Sequence, residues 1–344
     1  MIPPKALILL LAALIPASCG GKKFLNTKPG DVVIPQELEK TFEVHEYSGM
    51  PGPAVPEQEV TVPAEANKKM AITKNVAKKD KEKPAAKPVE AARAQPGGFV
   101  IPNRRPHPDP VWIGEKIVMD VTWLKTRAGE FTLEVLPFKE INHRKVYNLR
   151  GTARTADFFA FVYKAEDIIE SFVDYEGWFP YKFTLTGNES RYIRKYLELF
   201  DHHAKRQYVH TMNQKLKTGE VSEEKGYKEL TPLAQDSISA LYFARTQKLE
   251  PGTTIRFPMT TNGTVWETEV VVLGREELST PMGKLPAIKA RVQTKFRGVL
   301  QQKGDSFIWF SDDARHFPLK FEAKVKIGWV TGIAKKIENG AGPG

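Results

Sequence analysis

Apolar and polar residues alternate with period two through most of the second two-thirds of this chain. In residues 115–123, Ile117, Met119, Val121 and Trp123 fall on one face while Lys116, Asp120 and Thr122 fall on the other, with Val118 the exception, the mark of a half-buried strand. Across residues 125–129, which include Gly129, the alternation resumes at Phe131, Leu133 and Val135, predicting a hairpin. Residues 145–152, 166–173, 181–185, 192–200 and 207–212 read as further strands. Residues 192–200 are apolar on both faces, which predicts cover on both sides. The run ADFFAFVY at 156–163 fits a short helix or a buried strand equally, because periodicity does not separate the two over so short a span. Residues 215–228 are polar and read as a loop.

A second group of strands begins after Pro251-Gly252. Residues 254–259 and 264–273 flank Asn262-Gly263, the strongest short hairpin signal in the chain. Thr280-Pro281-Met282-Gly283 places Pro and Gly in turn positions, joining 270–278 to 285–296. Residues 307–310 and 319–327 follow, and the pattern ends at Ile333. Between the two groups lies LTPLAQDSISALYFARTQKL, residues 230–249, which reads as an amphipathic helix. Thr231, Pro232 and Asp236 are its start signals, and Ile238, Leu241, Tyr242 and Leu249 share one face. The predicted fold is mainly β: a large antiparallel sheet rolled into an open barrel or spiral, with one central amphipathic helix. Two sandwiched sheets are the alternative. The β domain is placed at residues 109–334, with a frayed tail at 335–344.

The first third lacks this periodicity. Residues 1–18 carry one cation, Lys5, and an apolar run from Ala6 to Ile15, too short to span a bilayer and of signal-peptide length. The chain's single cysteine, Cys19, follows Ala17 and Ser18, so no intramolecular disulfide can form. Residues 19–108 are rich in Pro, Ala, Lys and Glu, acidic across 31–65 and basic across 68–93. Such a composition predicts a disordered tether, with a reach on the order of 100 Å when extended. With 41% apolar residues of 344 the chain holds a substantial core, and its net charge of +10 suits an acidic partner. No stripe of cations interleaved with aromatics reads as a nucleic-acid module.

Two resemblances sharpen the picture. Residues 1–19 resemble the signal of bacterial lipoproteins, in which the cysteine thiol is acylated and becomes the new N-terminus; Pro16 stands where that pattern has an aliphatic residue. The resemblance implies lipidation at Cys19. It also implies outer-membrane sorting facing the periplasm, because Gly20 and not Asp follows the cysteine. Separately, GEKIVMDVTW with AGEF, DSISALYFAR, STPMGKLPAIKA and IWFSDDARHFPLKFEAKVKIG resemble, in order, the bacterial envelope proteins of domain-of-unknown-function family 3108, over residues 110–333. This implies a periplasm-facing antiparallel β domain with a central helix, and it carries over no catalytic residue.

Candidate chemistry is sparse. His202-His203 after Asp201, with His210 nearby, lack metal-ligand spacing and read as turn residues; His143 and His316 read as loop residues. Asp312-Asp313 before Arg315 reads as a turn bonding its own backbone. No nucleophile elbow, dinucleotide fingerprint or P-loop occurs, so neither a catalytic residue, a metal site nor a cofactor is called for. Arg245 shares the helix face of Leu241 and Tyr242, and needs a carboxylate partner or an anionic ligand there. Arg245 and Tyr242, with Trp178 as the tryptophan expected to be exposed, are the candidate ligand-binding residues. The leading expectation is a lipid-anchored envelope module that binds or scaffolds without catalysis, its partners the membrane, a cell-wall polymer or another envelope protein. The alternatives are a carrier of a lipid or other apolar ligand inside the rolled sheet, and a glycan hydrolase using Asp167, Glu170 or Asp174.

Overall fold

The computed structural model describes residues 31–49, 99–161, 163–296, 306–325 and 327–341. Cys19 and the signal-like segment lie outside them. The predicted alternation becomes strands β2 (Ile113–Trp123), β3 (Thr126–Ile141), β4 (Arg144–Thr155), β5 (Ala165–Asp174), β6 (Pro180–Glu189), β7 (Tyr192–Asp201) and β8 (Arg206–Lys215). The second group is β10 (Thr254–Thr261), β11 (Thr264–Thr280), β12 (Gly283–Phe296), β13 (Ser306–Ser311), β14 (Pro318–Lys324) and β15 (Trp329–Ala341). Helix α2 (Asp157–Ala160) resolves the ambiguous 156–163 run, and helix α3 (Ser237–Arg245) stands between the groups.

Neighbouring strands pair antiparallel in the order β10 to β15, then β2 to β8, then β9 (Val221–Glu229). The sheet is rolled and not closed, with β9 and β10 as its two edges. Side chains and one short backbone segment bridge the seam between them. Gln235 lies parallel to β10, its N–H donating to Pro258 O (2.9 Å) and its carbonyl accepting from Thr260 N–H (2.8 Å). These bonds satisfy part of the β10 edge, which would otherwise offer its backbone to another chain.

The central helix is shorter than expected. Asp236 caps it by accepting from the Ile238 and Ser239 amides (both 2.8 Å), and Ser239 Oγ accepts from the Asp236 amide in return, a capping box that satisfies orphan donors at the helix start. Its burial also differs from an amphipathic stripe. Every residue from Ser237 to Arg245 is buried except Leu241, which is half-buried. The helix fits because its off-stripe residues are small, namely Ser239, Ala240 and Ala244, and because β4 offers Gly151. A Cβ on Gly151 would stand 2.9 Å from Ile238 Cδ1. The helix is therefore a plug packed against β4, β5 and β10.

Three expectations need correction. Residues 215–228 hold all but the last residue of the edge strand β9, whose sequence VSEEKGYKE has few apolar positions because one side of it carries no further strand. The tail expected to fray belongs to β15 as far as Ala341, which pairs with Ile113; its side chains are polar because they are exposed, while the backbone is bonded. Residues 31–49, expected to be tether, form helix α1 (Gln36–Phe42) and the short strand β1 (His45–Glu46), which pairs with the overhang of β3. Leu38 and Phe42, one helical turn apart, pack on the outer faces of β4 to β8 against Val146, Phe172, Tyr181, Leu199 and Tyr208. This strap explains why residues 192–200 are apolar on both faces. Phe42→Ala, deleting a fully buried ring, should cost about 3–5 kcal/mol of packing. Limited proteolysis should then cut residues 31–49 early, while a core beginning near residue 99 persists.

Candidate functional site

Arg245 ends α3 with its guanidinium wholly buried. It meets Glu115 at the start of β2 in a two-pronged pair, Nη1–Oε1 at 2.6 Å and Nη2–Oε2 at 2.8 Å. Its remaining donors reach Pro110 O at 3.1 Å and Arg315 O at 3.1 and 3.3 Å. Arg315 joins the same carboxylate at Oε2 (2.8 Å), donates to Pro110 O and Asn339 O, and stacks 3.7 Å over Trp112. Glu115 holds the Arg245 guanidinium above its usual range against the opposing effect of burial. This cluster joins four separate pieces: the helix end, the lead-in to β2, the 312–316 turn and β15. All three guanidinium nitrogens of Arg245 are thus engaged by groups of the fold itself.

The other two candidate ligand residues are also interior. Tyr242 is fully buried beneath the same cluster, its ring 5.0 Å from the Arg245 guanidinium. Trp178, expected to be exposed, is completely buried and stacks on Tyr147 at 4.9 Å. Trp178 adopts a left-handed backbone (φ 48°). Its carbonyl accepts from Gln235 Nε2 (2.7 Å) and Arg104 Nη2 (3.2 Å), so segments distant in sequence cover what looks locally like a surface turn.

The histidines and carboxylates resolve in the same way. His202 is buried; its Nδ1 accepts from Leu233 N–H (3.0 Å) and its Nε2 donates to Pro180 O (2.7 Å). Burial pushes it down to about 4, the state expected of a neutral ring with both nitrogens satisfied. His203 is exposed, so the two rings diverge. Asp313 Oδ1 accepts from the Arg315 and His316 amides, the local turn expected. Among the described residues no group of three or more His, Cys, Asp or Glu is placed to hold a metal ion. Asp167, Glu170 and Asp174 do not converge. Glu170 pairs with Arg150 across the outer face, and Asp174 organises the following turn through Arg144, Tyr181 and the Glu176 and Gly177 amides.

Sequence reasoning named Asp167 as a candidate acid and Asp236 as a helix start, but missed Glu189 and Glu198 and the inward set that the four form on β5 to β7 and at the helix start. Burial raises Asp236 to about 6, although the Ser171 hydroxyl and two helix amides pull it down. Burial also raises Glu198 to about 7. Glu198 receives the Tyr196 hydroxyl, and Thr260 Oγ1 lies 3.0 Å from its Oε1 and 2.8 Å from Gln207 Oε1. Thr260 has one hydroxyl hydrogen for two acceptors, so a proton on Glu198 completes the set. Near one end of the roll, burial raises Glu189 to about 7 beside Arg194 and Tyr163, and Asp167 to about 6. In sequence Asp167, Glu189 and Glu198 are single acids in strands, and their one signal is an inward place in the alternation.

The Glu198 proton has a measurable consequence. The folded protein keeps it to about pH 7, whereas the ordinary carboxyl releases it near 4.5. The unfolded chain therefore binds fewer protons in that window, and the contribution of this group to stability falls as pH rises through it. Glu198→Gln should remove this fall, on the order of 2–3 kcal/mol between pH 4.5 and 7. Denaturant titrations of both proteins across the window check it; His202, with the opposite slope, is common to both and cancels.

Residues 118–335 match the family described as "Protein of unknown function (DUF3108)". The chain belongs to that family. Among solved structures, a beta-barrel-like protein of domain of unknown function DUF1849 from Brucella abortus is 11% identical, covering 66% of this chain and 98% of its own, with a TM-score of 0.42. A candidate lipoprotein from Parabacteroides distasonis is 8% identical over 70% of this chain and 100% of its own, with a TM-score of 0.28. A candidate exported protein with a YmcC-like fold from Bacteroides fragilis is 12% identical over the same shares, with a TM-score of 0.25. No curated protein matches the sequence.

Proposed function

We propose that this DUF3108 protein is a lipid-anchored protein of the bacterial envelope, held by acylated Cys19 at the outer membrane, whose rolled domain binds or scaffolds envelope components without catalysis. The observation that carries the choice between scaffold and carrier is the occupied interior. Helix α3 packs Ile238, Tyr242, Phe243 and Ala244 inside the roll, in one continuous apolar cluster with inward residues from β2 to β5 and β10 to β13. A carrier needs an apolar cavity in the place this helix takes. Of the candidate contacts of a carried ligand, Arg245 is paired with Glu115, and the rings of Tyr242 and Trp178 are packed in that cluster. Partners, a wall polymer or a second envelope protein, then meet the outer surface.

The anchor is supported by the sequence alone: a short apolar run, small residues, and the chain's one cysteine at its end. Metabolic labelling with a radioactive fatty acid tests it. Label should enter the native chain and disappear in Cys19→Ser; equal label in both would reject the anchor.

A further inference from the structure

In an antiparallel meander every second connection emerges at the same end of the roll. One end gathers the connections after β2, β4, β6, β8 and β14. Six large apolar side chains stand exposed on it: Leu124, Phe158, Phe161, Leu216, Ile327 and Trp329. Phe158 is 82% and Phe161 97% accessible, values at which a phenylalanine contributes nothing to the core. The connections form a continuous rim. Trp123 Nε1 donates to Ile327 O (2.8 Å), Ala156 N to Ala128 O (3.0 Å), Ser190 N to Lys164 O (2.8 Å) and Leu216 N to Arg191 O (3.0 Å).

The exposed unpaired charge on this rim is mainly positive. Lys125, Lys164, Arg191 and Lys217 are exposed there and carry no ion pair among the described residues; Asp157 is the exposed acid without one. Protruding aromatic and aliphatic tips set among free cations match a surface that is apolar below and anionic above. The path of the strap points the same way. Asp31 pairs with Lys195 (2.8 Å) close to where β7 leaves the rim, and Glu46 pairs with Lys139 near the opposite end of β3. The chain preceding Asp31 thus starts from the rim end. Cys19 lies twelve residues earlier, within about 40 Å of extended chain.

We infer that this rim is a second membrane contact, seating the domain on an acidic lipid surface with Phe158 and Phe161 in the headgroup region. This rests on the anchored reading for its orientation and goes beyond it by fixing which end faces the bilayer. Single-anchor attachment leaves a domain free to tumble, whereas a basic, aromatic rim adds the second signal that makes attachment stable.

The test uses the full chain isolated from envelopes, with Phe158→Cys or Lys284→Cys carrying a polarity-sensitive fluorophore. Acylation blocks Cys19; if mass spectrometry finds it unacylated, Cys19→Ser removes the competing thiol. Phe158 is on the rim, and Lys284 is exposed on the β11–β12 hairpin at the far end. In phosphatidylglycerol-containing vesicles the probe at 158 should move to bluer, several-fold brighter emission while the probe at 284 stays in water. The shift should weaken in phosphatidylcholine alone and in high salt. Equal, water-like emission at both positions would overturn the rim while leaving an acylated anchor standing. A shift at 158 that needs no vesicle and follows a co-isolated protein would overturn it too, assigning the rim to that partner. An unacylated Cys19 with a vesicle-dependent shift at 158 would reject the anchor and keep the rim.

Discussion

Glu115→Ala is expected to destabilise the folded domain by about 3–5 kcal/mol, a large share of the 5–15 kcal/mol typical of a domain. The carboxylate is wholly buried and faces two guanidiniums, Arg245 and Arg315. Its removal leaves the Arg245 charge in the interior with only backbone carbonyls as partners, and an unpaired buried charge costs more than the pair ever contributed. The cluster also joins the helix to β2, the 312–316 turn and β15, so the loss reaches elements far apart in sequence. Urea denaturation monitored by tryptophan fluorescence measures it. Glu115→Leu combined with Arg245→Met should recover much of the loss, because an apolar pair of similar volume leaves no charge stranded. If Glu115→Ala unfolds at the wild-type midpoint, the cluster is not the lock described here.

Ile238→Asp should prevent folding. Ile238 is 1% exposed and seats its Cδ1 over Gly151 in the first turn of the helix. A carboxylate there would be desolvated without a donor, next to the already buried carboxyl of Asp236, and would forfeit the apolar contact as well. Near neutral pH the variant should appear as an expanded or insoluble species by circular dichroism and gel filtration. Gln247→Asp, beyond the helix end and half-exposed, is the control and should fold normally, with a small penalty from the helix C-terminus. A folded Ile238→Asp protein would make the helix peripheral.

Much of this architecture is legible in the sequence because a strand with one inward face must alternate. Residues 115–123 and 264–273 do so, and β2 and β11 follow. The helix start was legible through Asp236, whose short carboxylate suits the cap. Full burial of the helix was not, since Ala240, Ala244 and Ser239 are small enough for either surface or core and only Gly151 on a distant strand shows which. The strap was illegible for a related reason: Leu38 and Phe42 are two apolar residues in an acidic stretch, and their docking face exists only once β4 to β8 are assembled. Trp178 looked exposed because Gly177 and Pro180 punctuate a turn, and nothing local reveals that Arg104 and Gln235 close over its carbonyl. The need of Arg245 for a counter-charge was legible from its place among apolar residues. Glu115 as that counter-charge was not, 130 residues away at the start of an ordinary strand.

A roll with its own helix packed inside meets partners on its outer surface. Native mass spectrometry of the protein isolated gently from envelopes tests this most directly. The expected result is the mass of the mature chain with its acyl groups, plus any partner protein, and no small apolar molecule released on unfolding. A stoichiometric lipid or other apolar ligand that stays bound until the fold melts, and that is lost in Tyr242→Ala or Arg245→Met while the sheet survives, would contradict it and establish the carrier.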